Sequence, residues 1–179
     1  PENSLYSASA DFIGKSRPGH RNFPVNKRGV IFSGKTREPI AFELTRPHSA
    51  RIFKDKVWVN NSGFGETGFI ENGTFIPINN FNAWTRGLYF HKDIMFVGVS
   101  RVLERFTNYA PGIKNPKPVC GIHAVDTNSM NIIGSIFWPY GNQIFGIEAM
   151  DYSTCMGLPY QSLKVSAKDI TSLYYKYQI

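Results

Sequence analysis

Two stretches of the chain, residues 48–59 and 86–97, follow one pattern of apolar and polar residues at an offset of 38 residues. Each contains a short apolar alternation, then a polar turn with Lys-Asp, then a second apolar alternation. A looser third copy follows over residues 121–136. Alternation of period two indicates half-buried β-strands, because successive side chains of a strand point to opposite faces of its sheet. The repeat therefore predicts a chain built from similar small antiparallel sheets.

The best defined copy contains four strand-like runs in just over thirty residues, 50–53, 57–60, 68–71 and 74–78. Asn72-Gly73 separates the last two runs. This pair predicts a tight hairpin, because both residues tolerate positive φ. Further strands are predicted at 30–32, 40–44, 85–90, 94–99, 121–126 and 130–136, and residues 143–149 are predicted to begin another unit.

A unit of ~40 residues with four short strands is typical of a β-propeller blade. One four-stranded meander cannot bury both of its faces, so neighbouring units stack face to face. The expected fold is all-β, with repeated four-stranded antiparallel meanders that form about three blades of a β-propeller. Closed propellers have at least ~4 blades. We therefore expect a second chain, or sequence missing from this one, to complete the ring.

The domain organisation follows from local composition. Residues 1–28 are polar and basic, with Ser, Pro and Gly, and are predicted to form an N-terminal arm or loop. Residues 29–179 form the partial propeller-like domain. An insertion loop is predicted at 103–118, because its prolines disfavour strand pairing. Residues 162–179 are predicted to be a short helix or a last strand.

The positive charge is concentrated in one part of the chain. Between residues 14 and 54, ten basic residues face two acidic ones, a net charge of +8, whereas the whole chain carries +7. This favours either a solvated basic face or an arm that binds nucleic acid or an anionic surface. No stretch approaches the ~18 apolar residues of a membrane span, so a soluble, cytoplasmic protein without membrane contact is expected. Cys120 and Cys155 allow one disulfide, but two buried thiols are the favoured interpretation.

Polar residues follow or begin the strands of successive units, where strand formation does not require them. At the 38-residue offset Arg86 corresponds to His48, Ser100 to Ser62 and Glu104 to Glu66. Such a ring is suited to a polar or anionic ligand, since arginine pairs with carboxylate or phosphate through two hydrogen bonds. The alternative is that these groups hydrogen-bond neighbouring blades to each other. The predicted ligand-binding residues are His48, Arg51, Asn61, Ser62, Glu66, Arg86, Ser100, Arg101 and Glu104.

The sequence contains no motif that defines a catalytic or metal site. The four histidines are far apart, so no metal and no cofactor are predicted. Ser62, His48 and Glu66 provide the residue types of a hydrolase triad, but without a nucleophile elbow. The catalytic residues are unknown, and a non-enzyme is favoured. The second hypothesis is an enzyme of the lactonase or cyclotransferase propeller type with a central ion.

Several motifs resemble an uncharacterised bacterial family of propeller-like proteins, the conserved domain of unknown function 4915. The similar segments are RPHSAR at 46–51, VWVNNSGFGE at 57–66, TRGL at 85–88, FVGVSR at 96–101, CGI at 120–122 and VD at 125–126. The resemblance covers about residues 45–160 and implies a propeller-like fold but no activity. The leading hypothesis is a binding or interaction domain that recognises a protein partner or small polar ligand through its loop rim. A homo-oligomer that completes the ring is a further expectation.

Overall fold

The computed structural model describes residues 5–9, 25–139 and 141–149. A compact unit ends at Ile147, and all strands of the described ranges belong to it. The strands are β1 (Leu5–Ser9), β2 (Gly29–Ser33), β3 (Pro39–Leu44), β4 (Pro47–Phe53), β5 (Lys56–Asn61), β6 (Glu66–Glu71), β7 (Thr74–Asn80), β8 (Trp84–His91), β9 (Ile94–Ser100), β10 (Gly121–Asp126) and β11 (Ile132–Phe137). Two short 3₁₀ helices, Ser62–Phe64 and Glu104–Tyr109, follow β5 and β9.

These strands form three antiparallel sheets in which sequential strands are neighbours. The first sheet contains β1 to β3, the second β4 to β7 and the third β8 to β11. The predicted all-β class with repeated meanders is therefore confirmed, and the sheets are consistent with propeller blades. None of the described sheets closes into a barrel.

The predicted hairpin at Asn72-Gly73 connects β6 to β7. Both residues have positive φ, 49° for Asn72 and 77° for Gly73. This is the backbone conformation that a two-residue hairpin requires, and it matches the right-handed twist of the two strands. The local sequence alone was sufficient to locate this turn.

Two hydrophobic cores lie between successive sheets. The core shared by the first and second sheets includes Ile31, Ala41 and Val59, all with no exposed surface. The core shared by the second and third sheets includes Trp58 and Val97. Val59 and Val97 are 38 residues apart, and each packs toward the preceding sheet. The repeat in sequence is therefore a repeat in packing, because alternate residues of one sheet contribute to two cores.

The structure differs from the sequence predictions at several places. Strand β1 lies inside the predicted arm and pairs with β2 along its whole length. Residues 143–149, expected to be a strand, form no described ladder, although Ile144 is hydrogen-bonded to Ser100. The insertion 103–118 contains the 3₁₀ helix Glu104–Tyr109. Residues 1–4 and 10–24 of the arm and residues 162–179 lie outside the described ranges, and the division into arm and domain stays a prediction.

Candidate functional site

The first strands of the second and third sheets carry equivalent β-bulges. β4 contacts β8, and each has a break in register with its partner, between His48 and Arg51 in β4 and between Thr85 and Leu88 in β8. A bulge adds one residue to a strand and redirects the neighbouring side chains. The bulges lie at His48 and Arg86, which correspond to each other in the repeat. The fold thus brings together two of the predicted site residues.

The residue after each of these two side chains has a left-handed backbone. Ser49 has φ 56° and Gly87 has φ 77°. Glycine adopts this conformation readily, whereas serine does so at a cost. The Ser49 Oγ lies 2.8 Å from the His48 Nδ1 and accepts a hydrogen bond from the Gly87 amide at 3.1 Å. The Ser49 side chain therefore connects the two bulges directly.

His48 lies in a cationic environment with Arg46 and Arg86. Burial, followed by the charges of Arg86 and Arg46, lowers the pKa of His48 to about 4. Burial and then Arg46 lower the pKa of Arg86, and burial lowers that of Arg46. No carboxylate is among the groups that shift these pKa values. We call Arg46, His48 and Arg86 the cationic cluster.

Aromatic rings hold the two guanidinium groups of the cationic cluster in place. The Arg86 guanidinium carbon lies 4.6 Å from the Trp84 ring centre and 5.0 Å from that of Phe145. That of Arg46 lies 4.9 Å from the Tyr109 ring. These are distances at which a guanidinium and a ring attract each other. Stacking occupies the faces of the guanidinium groups and leaves their N–H edges for other partners.

Polar atoms around the cationic cluster are buried without a hydrogen-bond partner among the described residues. They are the Nε of Arg86, the indole nitrogen of Trp84 and the hydroxyl of Tyr109. Arg86 Nη1 donates to the Gln143 Oε1 at 3.3 Å. Unpaired buried polar atoms are uncommon in folded proteins and require an explanation, such as strain, a bound water or ion, or a functional role.

Ser62 and Ser100 connect successive units instead of lining this cluster. The buried Ser62 hydroxyl donates to the Thr85 carbonyl at the start of the third sheet. The equivalent Ser100 Oγ accepts the Ile144 amide at 2.8 Å and lies 3.2 Å from its carbonyl oxygen. These contacts match the alternative in which repeat-equivalent polar groups hold neighbouring units together.

Asn61 and Glu66 are joined by a side-chain hydrogen bond close to the contact between Ser62 and Thr85. Asn61 accepts the Thr45 amide at 2.7 Å through Oδ1 and donates through Nδ2 to the Glu66 Oε2 at 2.9 Å. The Glu66 backbone carbonyl accepts the Thr85 hydroxyl. Since the Ser62 hydroxyl and the Glu66 carboxylate have these partners, the structure does not assemble the triad of Ser62, His48 and Glu66.

The remaining predicted residues are spread over different surroundings. Arg101 donates through Nη2 to the Pro139 carbonyl at 3.0 Å. Glu104 is exposed at the start of its 3₁₀ helix, unlike Glu66, which begins a strand. Arg51 lies on β4 opposite Trp58. Their assignment to a ligand site stays a prediction.

Sequence reasoning missed Arg46, Ser49, Trp84 and Tyr109 as site residues. Arg46 and Ser49 stand in the RPHSAR segment, so the signal was proximity to His48. Tyr109 belongs to the insertion, which contacts the 3₁₀ helix after β5 where the Gly112 amide donates to the Gly63 carbonyl. No periodic pattern reveals such a contact.

Three further features of the described residues concern the cysteines, metal binding and membrane-spanning helices. Cys120 is a free, buried thiol, and burial raises its pKa. Cys155 lies outside the described ranges. No three His, Cys, Asp or Glu side chains within those ranges are grouped to hold a metal ion. None of the helices described there is long and apolar enough to cross a membrane.

Comparison with known proteins adds one family match. The model of a family described as a domain of unknown function (DUF4915) matches residues 14–157. No curated protein matches the chain significantly.

Proposed function

This chain belongs to the DUF4915 family of domains of unknown function, and we propose from the site geometry that it binds a small oxyanion, a carboxylate or phosphate group, at the cationic cluster. The observation that carries the proposal is that the connected bulges of β4 and β8 hold His48 and Arg86 where the charges of Arg86 and Arg46 act on His48, with no carboxylate among the groups that act on the three. Like charges that are partly removed from water repel each other. A bound anion offsets that repulsion.

The cluster also has the hydrogen-bonding character that an oxyanion needs. The two guanidinium groups supply only donors. When the Ser49 hydroxyl donates to the His48 Nδ1, the other ring nitrogen carries the proton and is a third donor. Arg86 has its Nη1 on Gln143, while its Nε has no described partner. Arginine pairs with carboxylate and phosphate oxygens through adjacent N–H groups, so this edge suits the proposed ligand.

The test is direct titration of the chain with inorganic phosphate and with acetate by isothermal calorimetry at low ionic strength. Arg86→Gln is expected to weaken binding by about ten- to a hundredfold, since a hydrogen bond to a charged group contributes about 1.5–3 kcal/mol. Arg86→Lys retains the charge but loses the paired N–H groups and is expected to recover only part of the affinity.

Lys114→Gln is the matched control, because it removes one positive charge at an exposed position of the insertion. Its affinity is expected to equal that of the unmodified chain. Equal weakening by Lys114→Gln and Arg86→Gln would show that the anion responds only to overall charge. Unchanged affinity in a folded Arg86→Gln variant would also overturn the proposal.

The two other functional hypotheses remain predictions. No observation in the described ranges favours the central ion of a lactonase-like or cyclotransferase-like enzyme over anion binding. The basic arm proposed to bind nucleic acid includes residues 15–24, which lie outside the described ranges. Recognition of a protein partner through the loop rim is likewise untested.

A further inference from the structure

We infer that the anion bound at the cationic cluster is a conjugated carboxylate, in which the charged group is joined directly to a flat aromatic ring, and that Phe145 stacks on that ring. This assignment rests on the proposed function and narrows it to one class of ligand. Three observations carry it: the position of Phe145 in the repeat, its exposure beside Arg86, and the planar geometry with which a guanidinium group pairs with a carboxylate.

The segment that contains Phe145 takes the place of the first strand of a further unit. After β5, Ser62 binds the backbone carbonyl of Thr85. At the end of β9, the equivalent Ser100 binds the backbone amide and carbonyl of Ile144. Thr85 therefore corresponds to Ile144. The residues that follow also match, with Arg-Gly-Leu in one segment and Phe-Gly-Ile in the other.

Phe145 thus occupies the repeat position that carries Arg86 in the third sheet and the histidine of the cationic cluster in the second. The three segments also lie against each other in chain order. The Ser49 hydroxyl accepts the Gly87 amide, and a Cβ atom on Gly87 would lie 3.2 Å from the carbonyl carbon of Gly146. Side chains at this position of the repeat therefore meet at the cationic cluster, and Phe145 is the third of them.

The segment 143–147 contacts Arg86 at two points. The Gln143 Oε1 accepts a hydrogen bond from the Arg86 Nη1 at 3.3 Å, and the Arg86 guanidinium carbon lies over the Phe145 ring, 5.0 Å from its centre. Phe145 is nevertheless 64% exposed among the described residues. A ring that touches the cation and still has free surface is suited to contact the body of a ligand whose charge is bound by that cation.

The plane of the guanidinium group determines which ligand shape fits. A carboxylate that makes two parallel hydrogen bonds to arginine lies in the guanidinium plane. In a conjugated carboxylate the ring lies in the plane of the carboxylate, so the flat surface of the arginine continues into the ligand. The ligand ring then overlaps the exposed part of Phe145 in an offset stack. A saturated ring is puckered and a phosphate ester is tetrahedral, so neither continues this plane.

The experiment compares benzoate with cyclohexanecarboxylate, each titrated into the full chain by isothermal calorimetry at low ionic strength. The two anions have the same charge and the same number of carbon atoms, and they differ in the planarity of the ring. Benzoate is expected to bind about three- to tenfold more tightly, because aromatic stacking adds to the effect of apolar burial alone.

Variants of Phe145 test whether this residue causes the difference. Phe145→Leu keeps an apolar side chain without a ring and is expected to abolish the preference for benzoate. Phe145→Tyr keeps the ring and is expected to retain the preference. The ratio of the two affinities is the readout, because an effect on Arg86 that weakens both anions cancels in it.

Phe137→Leu is the matched control and is expected to leave the ratio unchanged. Phe137 is 49% exposed and lies on β11, which β9 and β10 separate from β8. Equal affinities of the unmodified chain for benzoate and cyclohexanecarboxylate would overturn the assignment, since the Phe145 ring would then be covered by another part of the chain. A preference that survives in Phe145→Leu, or that Phe137→Leu also abolishes, would overturn it as well.

Acetate and phosphate distinguish failure of this assignment from failure of the proposed function. Binding of acetate or phosphate that depends on Arg86, without a preference for benzoate, would leave the anion site in place and remove only the aromatic ligand class. Absence of binding for acetate, phosphate and benzoate would overturn both.

Discussion

At the scale of single residues, His48 shows how burial and neighbouring charges change the pKa of a side chain. Its pKa is lowered to about 4 by burial and by two arginines, so the ring is neutral near pH 7. A neutral imidazole limits the repulsion within the cationic cluster, and a bound anion would raise the pKa of His48 again. The same residue is therefore expected to report on both folding and ligand binding.

The first prediction concerns the pH dependence of stability. Between about pH 6.5 and 4 the unfolded His48 binds a proton that the folded one does not, so acidification lowers the free energy of unfolding. His48→Gln is expected to lose less stability than the unmodified chain between pH 7 and pH 5 in urea titrations. His123, whose pKa is also lowered, contributes in the same direction, and His123→Gln is the comparison. Equal acid sensitivity of His48→Gln and the unmodified chain would contradict this prediction.

At the scale of strands, repeat-equivalent residues have two different roles. One pair lies in the bulges of the cationic cluster, and the other pair forms the serine contacts to later segments. The bulges in β4 and β8 lie at His48 and Arg86, and the charge of Arg86 lowers the pKa of His48. Ser62 just after β5 and Ser100 at the end of β9 bind backbone atoms of later segments, Thr85 of β8 and Ile144 respectively. Equivalent positions in a repeat can thus either bind a ligand or connect packed segments, and the hydrogen-bond partners of a residue distinguish these two roles.

The second prediction is that Ser62→Ala and Ser100→Ala each lower the free energy of unfolding by about 0.5–1.5 kcal/mol, since each removes the hydrogen bond between a buried serine hydroxyl and a backbone group. Urea denaturation followed by tryptophan fluorescence measures the change. Ser135→Ala, an exposed serine on β11, is expected to cost under about 0.5 kcal/mol. Comparable losses at Ser62 and Ser135 would show that the buried hydrogen bond contributes little.

At the scale of the whole molecule, stability comes from hydrophobic cores between successive sheets that pack face to face. Each inner face is buried by its neighbour, with Trp58 in contact with Phe69 and Phe90 at ring distances of 5.3 Å and 5.5 Å. In the third sheet Phe96 stands at the position that corresponds to Trp58 and is only partly buried among the described residues. The stack thus contains equivalent positions in two different environments.

The third prediction compares the equivalent residues Trp58 and Phe96. Trp58→Ala is expected to cost about 3–5 kcal/mol, because it leaves a cavity between two sheets. Phe96→Ala is expected to cost less, because Phe96 is only partly buried among the described residues. Urea denaturation of both variants measures the two losses. A loss at Phe96 as large as that at Trp58 would contradict this prediction.

The sequence by itself determined the strands from β2 to β11, the Asn72-Gly73 turn and the 38-residue repeat. These depend on alternation and turn chemistry, which act between residues close along the chain. It also identified His48 and Arg86 as equivalent positions. Only the tertiary structure placed Tyr109 over Arg46 and paired β1 with β2. Such contacts depend on how distant segments stack, and no local pattern encodes that stacking.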